Sequence, residues 1–100
     1  MYMYFCNTGS KQHYKILARY FDDVMLLETK RHHYIVARWV ETTDEDFFMG
    51  EWGSGHYWLD NEEGAYNDFY SIVTDAINER MNGRNYITID KVKELYEEVK

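Results

Sequence analysis

The sequence predicts an α+β fold in which a small antiparallel sheet of three to four strands is packed by two helices. Residues 24–29 and 34–40 are rich in β-branched, aliphatic and aromatic side chains, which is typical of strands. Apolar residues recur at helical spacing farther along, and this pattern predicts helices over 61–82 and 89–99. With 45% apolar residues, the chain has the material for a single domain over residues 1–100 with its own core.

The predicted strands are separated by polar stretches. Residues 2–6 fit a first strand, and the polar run 30–33 between the two main strands indicates a hairpin with a longer loop. Side chains alternate along 34–40, so one face of that strand should be buried and the other partly wetted. Residues 41–51 read as an acidic loop, and 56–59 read as a further strand.

Residues 10–21 fit two interpretations. Apolar and aromatic residues recur there at helical spacing after Ser10, a suitable N-cap, which predicts an extra N-terminal helix. The run from Tyr14 to Phe21 equally fits a strand that enters a turn at Asp22 and Asp23. The sequence leaves both alternatives open.

The helix over 61–82 has the clearest boundaries. Asp60 is a favourable N-cap, and Glu63 three residues later gives a variant of the capping box. The turn-forming pair Asn82-Gly83 should end this helix. Thr88 or Asp90 should cap the last helix. The apolar stripe of the first of these two helices comprises Tyr66, Phe69, Tyr70, Val73 and Ile77.

Features of the whole chain predict a cytoplasmic protein. Cys6 is the single cysteine, so an internal disulfide is excluded and nothing suggests an oxidising compartment. The apolar N-terminus is short and lacks the basic region of a signal peptide. No run approaches the roughly 20 apolar residues that a membrane helix requires.

The acidic residues are concentrated in one part of the chain. The net charge is −7, so direct DNA or RNA binding through general electrostatic attraction is not expected. Eleven Asp and Glu residues fall between Trp39 and Glu79, and no Lys or Arg falls there. This asymmetry suggests either a solvated acidic flank or a surface that binds a basic partner.

Such an acidic surface could imitate the charge of phosphates and bind in the basic groove of a protein that normally binds nucleic acid there. The partner would be a basic nucleic-acid-binding protein such as a nuclease or its guide complex. Aromatic residues interleave with these acids, and those in loop-like sequence could anchor the contact. The predicted partner-binding residues are Glu41, Asp44, Glu45, Asp46, Phe47, Phe48, Glu51, Trp52, Asp60, Glu62, Glu63 and Asp68.

The alternative to an inhibitor is a protein of a different functional class, a structural or self-associating module. In that case a sheet edge or the exposed aromatic residues would form a homodimer, and the acids would serve solubility.

Patterns for catalysis or metal binding are weak. An EF-hand loop starting at Asp44 would place Phe48 at the fifth ligand position, where a polar ligand is needed. The four histidines and Cys6 do not follow zinc-site spacing, and residues 53–55 lack the five-residue nucleophile elbow. An irregular divalent site that includes Asp44 and Asp46 is the remaining metal alternative. We therefore expect no catalytic residue, no cofactor and no enzymatic activity.

The segment 52–69, in which an aromatic strand leads into a capped acidic helix, resembles small proteins of bacterial phages and mobile elements. The chain is also similar in style to anti-CRISPR and anti-restriction proteins, which are short, acidic and single-domain. Many proteins of this type bind a nuclease or its guide complex, and some imitate nucleic acid. The resemblance therefore implies an inhibitor, without assigning a role to any individual residue.

Overall fold

The computed structural model describes residues 4–21, 23–44, 49–81 and 87–97. Within these ranges, five strands precede two helices. The elements are β1 (Tyr4–Asn7), β2 (His13–Tyr20), β3 (Val24–Glu28), β4 (Tyr34–Asp44), β5 (Met49–Trp58), α1 (Glu62–Arg80) and α2 (Ile89–Glu97). The predicted α+β class with two helices is confirmed, whereas the predicted count of three to four strands is corrected to five.

The five strands form a closed barrel in which each strand pairs with its neighbour in sequence. Consecutive strands are antiparallel, so β1 and β5, the first and the fifth, run in the same direction. They close the barrel as a parallel pair, with Cys6 opposite Met49 and Asn7 opposite Gly50. An up-and-down barrel with an odd number of strands must close in this way.

Residues 10–21 contain strand β2, so the alternative of an extra N-terminal helix is wrong. The register between β2 and β3 shifts between Ile16 and Ala18. Ile16 packs against the core inside the barrel, whereas Leu17 and Ala18 pack against the core beneath the helices. This bulge breaks the strict alternation of a strand, which explains why the apolar residues fall at a spacing that resembles a helix.

The sheet has a hydrophobic core on each face. Along β3, Val24 and Leu26 face the helices, while Met25 and Leu27 face the barrel interior. All four side chains are fully buried. The same arrangement buries both faces of β4 over 34–37, so the prediction of one wetted face is wrong there. Helices cover one face and the closed barrel covers the other.

Strands β4 and β5 extend into the predicted acidic loop. Residues 41–44 and 49–51 are strand, and the loop tip at 45–48 lies outside the described residues. The glycines do not interrupt β5. A Cβ at Gly53 would lie 3.3 Å from Cβ of Trp39, whose φ of 54° is left-handed. Glycine therefore allows the two strands to stay paired past this irregular position.

Both helices are capped by polar side chains. Asn61, rather than the predicted Asp60, caps α1, because its side chain accepts a hydrogen bond from the backbone N–H of Gly64 at 2.8 Å. Asp60 has a left-handed φ of 54° and belongs to the preceding bend. Of the two predicted caps of α2, Thr88 and Asp90, it is Thr88 that accepts from the N–H of Lys91. The predicted stop at residues 82 and 83 lies outside the described residues, and α1 ends at Arg80. In the described part of the chain, neither helix combines the length and the apolar character needed to cross a membrane.

Candidate protein-binding surface

The structure divides the predicted acidic residues into separate groups along β5. Glu41 and Glu51 are cross-strand partners near the start of this strand, and both are exposed. Asp60, Glu62 and Glu63 follow the other end of the strand. Because a strand rises about 3.3 Å per residue, roughly 20 Å of β5 separates the two groups. The acids that form a single run in the sequence therefore do not form a single patch.

The acids at the start of α1 are stabilised by the helix itself. Glu62 and Glu63 occupy the first turn, where the helix dipole favours negative charge. The hydroxyl of Tyr34 donates to Oε2 of Glu62 across 3.4 Å, which links the helix to β4. Burial raises the pKa of Tyr34, and the negative charges of Glu62 and Glu28 raise it further. Tyr34 therefore remains a neutral hydrogen-bond donor at physiological pH.

Asp60 lies beside the turn between β3 and β4. Its Oδ1 is 3.8 Å from Nε2 of His33, and its side chain is largely exposed. An open groove of about 560 Å³ lies along the nearby helix surfaces, where Lys93 of α2 shares the lining with Glu62, Glu63 and Glu97. A base that is distant in sequence therefore reaches the acidic N-terminal end of α1.

Asp68 is a structural residue that ties α1 to β5. Its Oδ2 accepts hydrogen bonds from Nε1 of Trp58 at 3.0 Å and pairs with Nδ1 of His56 at 2.8 Å. The Asp68 side chain is mostly buried, and Trp58 packs against the core beneath the helices. This carboxylate therefore has two internal partners and presents little free charge to another molecule.

A similar contact neutralises Glu79 near the other end of α1. Oε2 of Glu79 lies 2.6 Å from Nη2 of Arg38 on β4. The Arg38 guanidinium also lies 4.6 Å from the ring centroid of Trp39. The stretch 40–79 contains no Lys or Arg, but this arginine reaches it across the sheet.

Of the predicted aromatic anchors, the structure describes only Trp52. Trp52 is partly buried and packs inside the barrel, with its ring centroid 5.8 Å from that of Phe5 and 5.7 Å from that of Tyr14. This position argues against a role as an exposed anchor. The predicted residues Glu45, Asp46, Phe47 and Phe48 lie outside the described residues, as does the side chain of Asp44.

An exposed apolar cluster, which the sequence patterns did not indicate, lies near the last turn of α1, where Arg38 contacts both Trp39 and Glu79. Phe21 and Trp39 are 66% and 55% exposed, and Met81 is also exposed. The Arg80 guanidinium lies 5.4 Å from the centroid of Phe21, and the hydrogen bond from Val40 N to Asp23 O holds the β2–β3 turn beside β4. We call Phe21, Trp39 and Met81 the aromatic cluster. Its members are far apart in sequence. Only Phe21, an aromatic residue beside a turn, could have indicated exposed apolar surface here.

The described residues do not provide a metal-binding constellation. Within the described ranges, no group of three or more His, Cys, Asp or Glu side chains could hold a metal ion. His32 and His33 have separate carboxylate partners, Glu28 at 3.1 Å and Asp60 at 3.8 Å. Comparisons of the chain with protein-family profiles, with curated proteins and with solved structures found no match.

Proposed function

We propose that this chain is a small cytoplasmic acidic protein that binds and inhibits a basic nucleic-acid-handling protein, in the manner of anti-CRISPR or anti-restriction proteins. The observation that supports this proposal is the acidic character of α1 and of Asp60, which lies just before it. No Lys or Arg occurs between residues 60 and 79. The acids in that interval are Asp60, Glu62, Glu63, Asp68, Asp75 and Glu79.

Helix α1 has dimensions that suit a groove for a nucleic-acid backbone. Its 19 residues extend about 28 Å at about 1.5 Å per residue. Negative charge along such a rod would be attracted to a positively charged groove and would occlude it. The attraction would weaken as salt screens exposed charges.

Contacts within the protein narrow the surface that would meet the partner. His56 and Arg38 already pair with Asp68 and Glu79, so these two acids offer less charge. Glu41 and Glu51 lie near the distant start of β5. The proposed contact therefore centres on the N-terminal end of α1, at Asp60, Glu62 and Glu63. This surface is smaller than the sequence predicts.

Affinity capture tests this proposal. The protein is immobilised and exposed to lysate of its host, and proteins that elute as salt rises are identified. We expect basic nucleases or guide complexes to elute, and the purified partner to lose its nuclease activity on binding. Capture of no such protein, or capture without inhibition, would contradict the proposal.

A pair of charge-reversal variants tests the surface. Glu62→Lys with Glu63→Lys should weaken binding of that purified partner at least tenfold at low salt and flatten its salt dependence. Glu41→Lys with Glu51→Lys changes the net charge equally at the distant site and should have a much smaller effect. Equal losses in the two double variants would indicate general charge attraction instead of contact through α1.

The aromatic cluster favours self-association as a second candidate function. Trp, Phe, Met and Arg are enriched in interface cores, and here they lie near one helix end. Sedimentation velocity at several concentrations should then detect a dimer that Trp39→Ser abolishes. Tyr57→Ser, which replaces an aromatic residue that is 68% exposed on β5, is the matched control and should leave the dimer intact. A monomer at every concentration would exclude this candidate.

A further inference from the structure

Basic side chains line a groove between two turns of this acidic protein. Its volume is about 510 Å³, within the range of small-molecule sites. Lys11 and His13 line it from the side of the β1–β2 turn, and Lys30, Arg31 and His33 line it from the β3–β4 turn. Among the described residues, no Asp or Glu contributes to the lining. We call this site the cationic groove.

Hydrogen bonds hold the first wall of the cationic groove. Oδ1 of Asn7 accepts from the backbone N–H groups of Gly9 and Ser10 at 2.9 and 3.0 Å. The backbone N–H of Lys11 donates to the carbonyl of Asn7 at 2.6 Å, and Lys11 has a left-handed φ of 59°. The backbone that carries Lys11 is therefore fixed in a tight turn at the edge of the groove.

The second wall is organised by Thr29. Its Oγ1 accepts from the backbone N–H groups of Arg31 and His33 at 3.3 and 3.1 Å. The backbone N–H of Thr29 donates to the carbonyl of His33 at 2.8 Å, which closes the turn. Lys30 and Arg31 therefore extend from a backbone that is ordered before any ligand arrives, and this lowers the entropic cost of binding.

Lys11, Lys30 and Arg31 have no carboxylate partner among the described residues, although the chain has 18 acidic residues. Of the two lining histidines, His33 lies 3.8 Å from Asp60. Three cations that line one groove without an ion-pair partner among the described residues repel one another, and a bound anion would relieve that repulsion.

We propose that the cationic groove binds a small molecule that carries two or more phosphate groups. Arg31 can form paired hydrogen bonds with phosphate oxygens, and Lys11 and Lys30 supply compact positive charges on the two walls. Charge on both walls suits a ligand with several negative groups better than a single anion. This inference is independent of the inhibitor proposal and of the contact through α1.

Acids around the groove favour a compact ligand over a nucleic acid. Glu28 pairs with His32 beside the second wall, and Asp60 lies beside His33. At the first wall, Oε1 of Glu51 would be 3.4 Å from a Cβ at Gly9. A strand that continued past the groove would bring its phosphates towards these carboxylates and be repelled. A short polyphosphate is less extended than a nucleic-acid strand and brings fewer phosphates towards these carboxylates.

Calorimetric titration of the full chain with inorganic triphosphate tests the site directly. We expect saturable binding with one ligand per chain, and amide chemical-shift changes confined to residues 9–13 and 29–33. Lys30→Gln with Arg31→Gln should weaken binding at least tenfold. Lys91→Gln with Lys93→Gln, which removes the same charge from α2, should weaken it less than threefold. Circular dichroism establishes that the variants are folded, and the shift map of the unaltered chain remains decisive if they are not.

Two other probes distinguish the ligand class. Citrate carries several carboxylates, and we expect it to bind at least tenfold more weakly than triphosphate. A single-stranded oligonucleotide should also bind more weakly. Absence of triphosphate binding at millimolar concentration, equal losses in both double variants, or tighter binding of citrate or the oligonucleotide would overturn the proposal.

Discussion

Arg38 and Glu79 join strand β4 to the last part of α1 through a 2.6 Å contact between Nη2 and Oε2. The Arg38 side chain is only 13% exposed, whereas that of Glu79 is 63% exposed. Nε of Arg38 is buried and has no hydrogen-bond partner among the described residues. Arg38 therefore needs Glu79 as a counter-charge, because little water reaches its guanidinium, whereas the exposed Glu79 carboxylate is solvated by water without Arg38.

Glu79→Gln should lower the free energy of unfolding by about 1 kcal/mol, because it removes the counter-charge of a largely buried cation. In an Arg38→Met background the same change should have almost no effect. Urea denaturation of the two single variants and the double variant measures this coupling. Asp75→Asn on the same helix serves as the control. Equal effects of Glu79→Gln in both backgrounds would exclude the coupling.

Gly64→Ala should destabilise the protein, although alanine favours helices by up to about 1 kcal/mol over glycine. A Cβ at this position would lie 2.7 Å from Cζ3 of Trp58 and 2.7 Å from Nδ2 of the N-cap residue Asn61. Either the indole ring or the cap must move, and the cap alone contributes about 1 kcal/mol. Thermal denaturation should show a lower Tm for this variant. Ser71→Ala, at an exposed position of α1, should leave Tm unchanged or raise it slightly.

Asp68→Ala should lower the free energy of unfolding by about 2 kcal/mol, because it leaves the indole N–H of Trp58 without its acceptor. Asp68→Asn keeps an oxygen acceptor at the same place and should recover part of the loss. Urea denaturation followed by tryptophan fluorescence measures both variants. Asp75→Ala removes an exposed acid from the same helix, and a loss as large as that of Asp68→Ala would contradict the role of the Trp58 contact.

Alkaline pH should destabilise the protein through Tyr96. Burial, with smaller contributions from Tyr20 and Tyr70, raises the pKa of Tyr96 to about 12 from its ordinary value of 10.0. The folded state holds this proton more tightly than the unfolded state, so stability is retained below pH 10 and declines as pH rises towards 12. Tyr96→Phe should make that decline shallower.

Denaturation midpoints at several pH values measure this effect. Near neutral pH, Tyr96→Phe should be slightly less stable than the unaltered chain, because Tyr96 donates a 2.8 Å hydrogen bond to the carbonyl of Arg19. The difference should shrink as pH rises above 10. Tyr57→Phe changes an exposed tyrosine and is the control. Parallel curves for Tyr96→Phe and the unaltered chain would show that Tyr96 does not contribute to alkaline unfolding.

The sequence predicted correctly the elements that bury a single face, because their apolar residues recur at one regular spacing. The stripe through Phe69 and Val73 identified α1, because one side of that helix lies against the sheet. Strand β2 was ambiguous because a bulge moves its apolar residues from one core to the other. The barrel was not predicted, since closure depends on pairing between β1 and β5, which are more than 40 residues apart.

The distribution of charge also shows that proximity in sequence does not predict proximity in the fold. Glu51 and Asp60 are close in sequence, yet most of an extended strand separates them in space. Conversely, Lys11 and Arg31 are distant in sequence but line one groove. Charge density along the chain therefore predicted the acidic character of α1 but neither the division of the acids nor the cationic groove.

The short parallel seam between β1 and β5 has a consequence for assembly. Four residues of β1 satisfy backbone groups of β2 and β5, and the N–H of Thr8 extends the seam by donating to the carbonyl of Gly50 at 2.9 Å. If β1 detached, both neighbouring strands would expose unpaired amides and carbonyls, which are templates for intermolecular strand addition. We therefore expect the pairing of β1 with both neighbours to keep their edges covered against such strand addition.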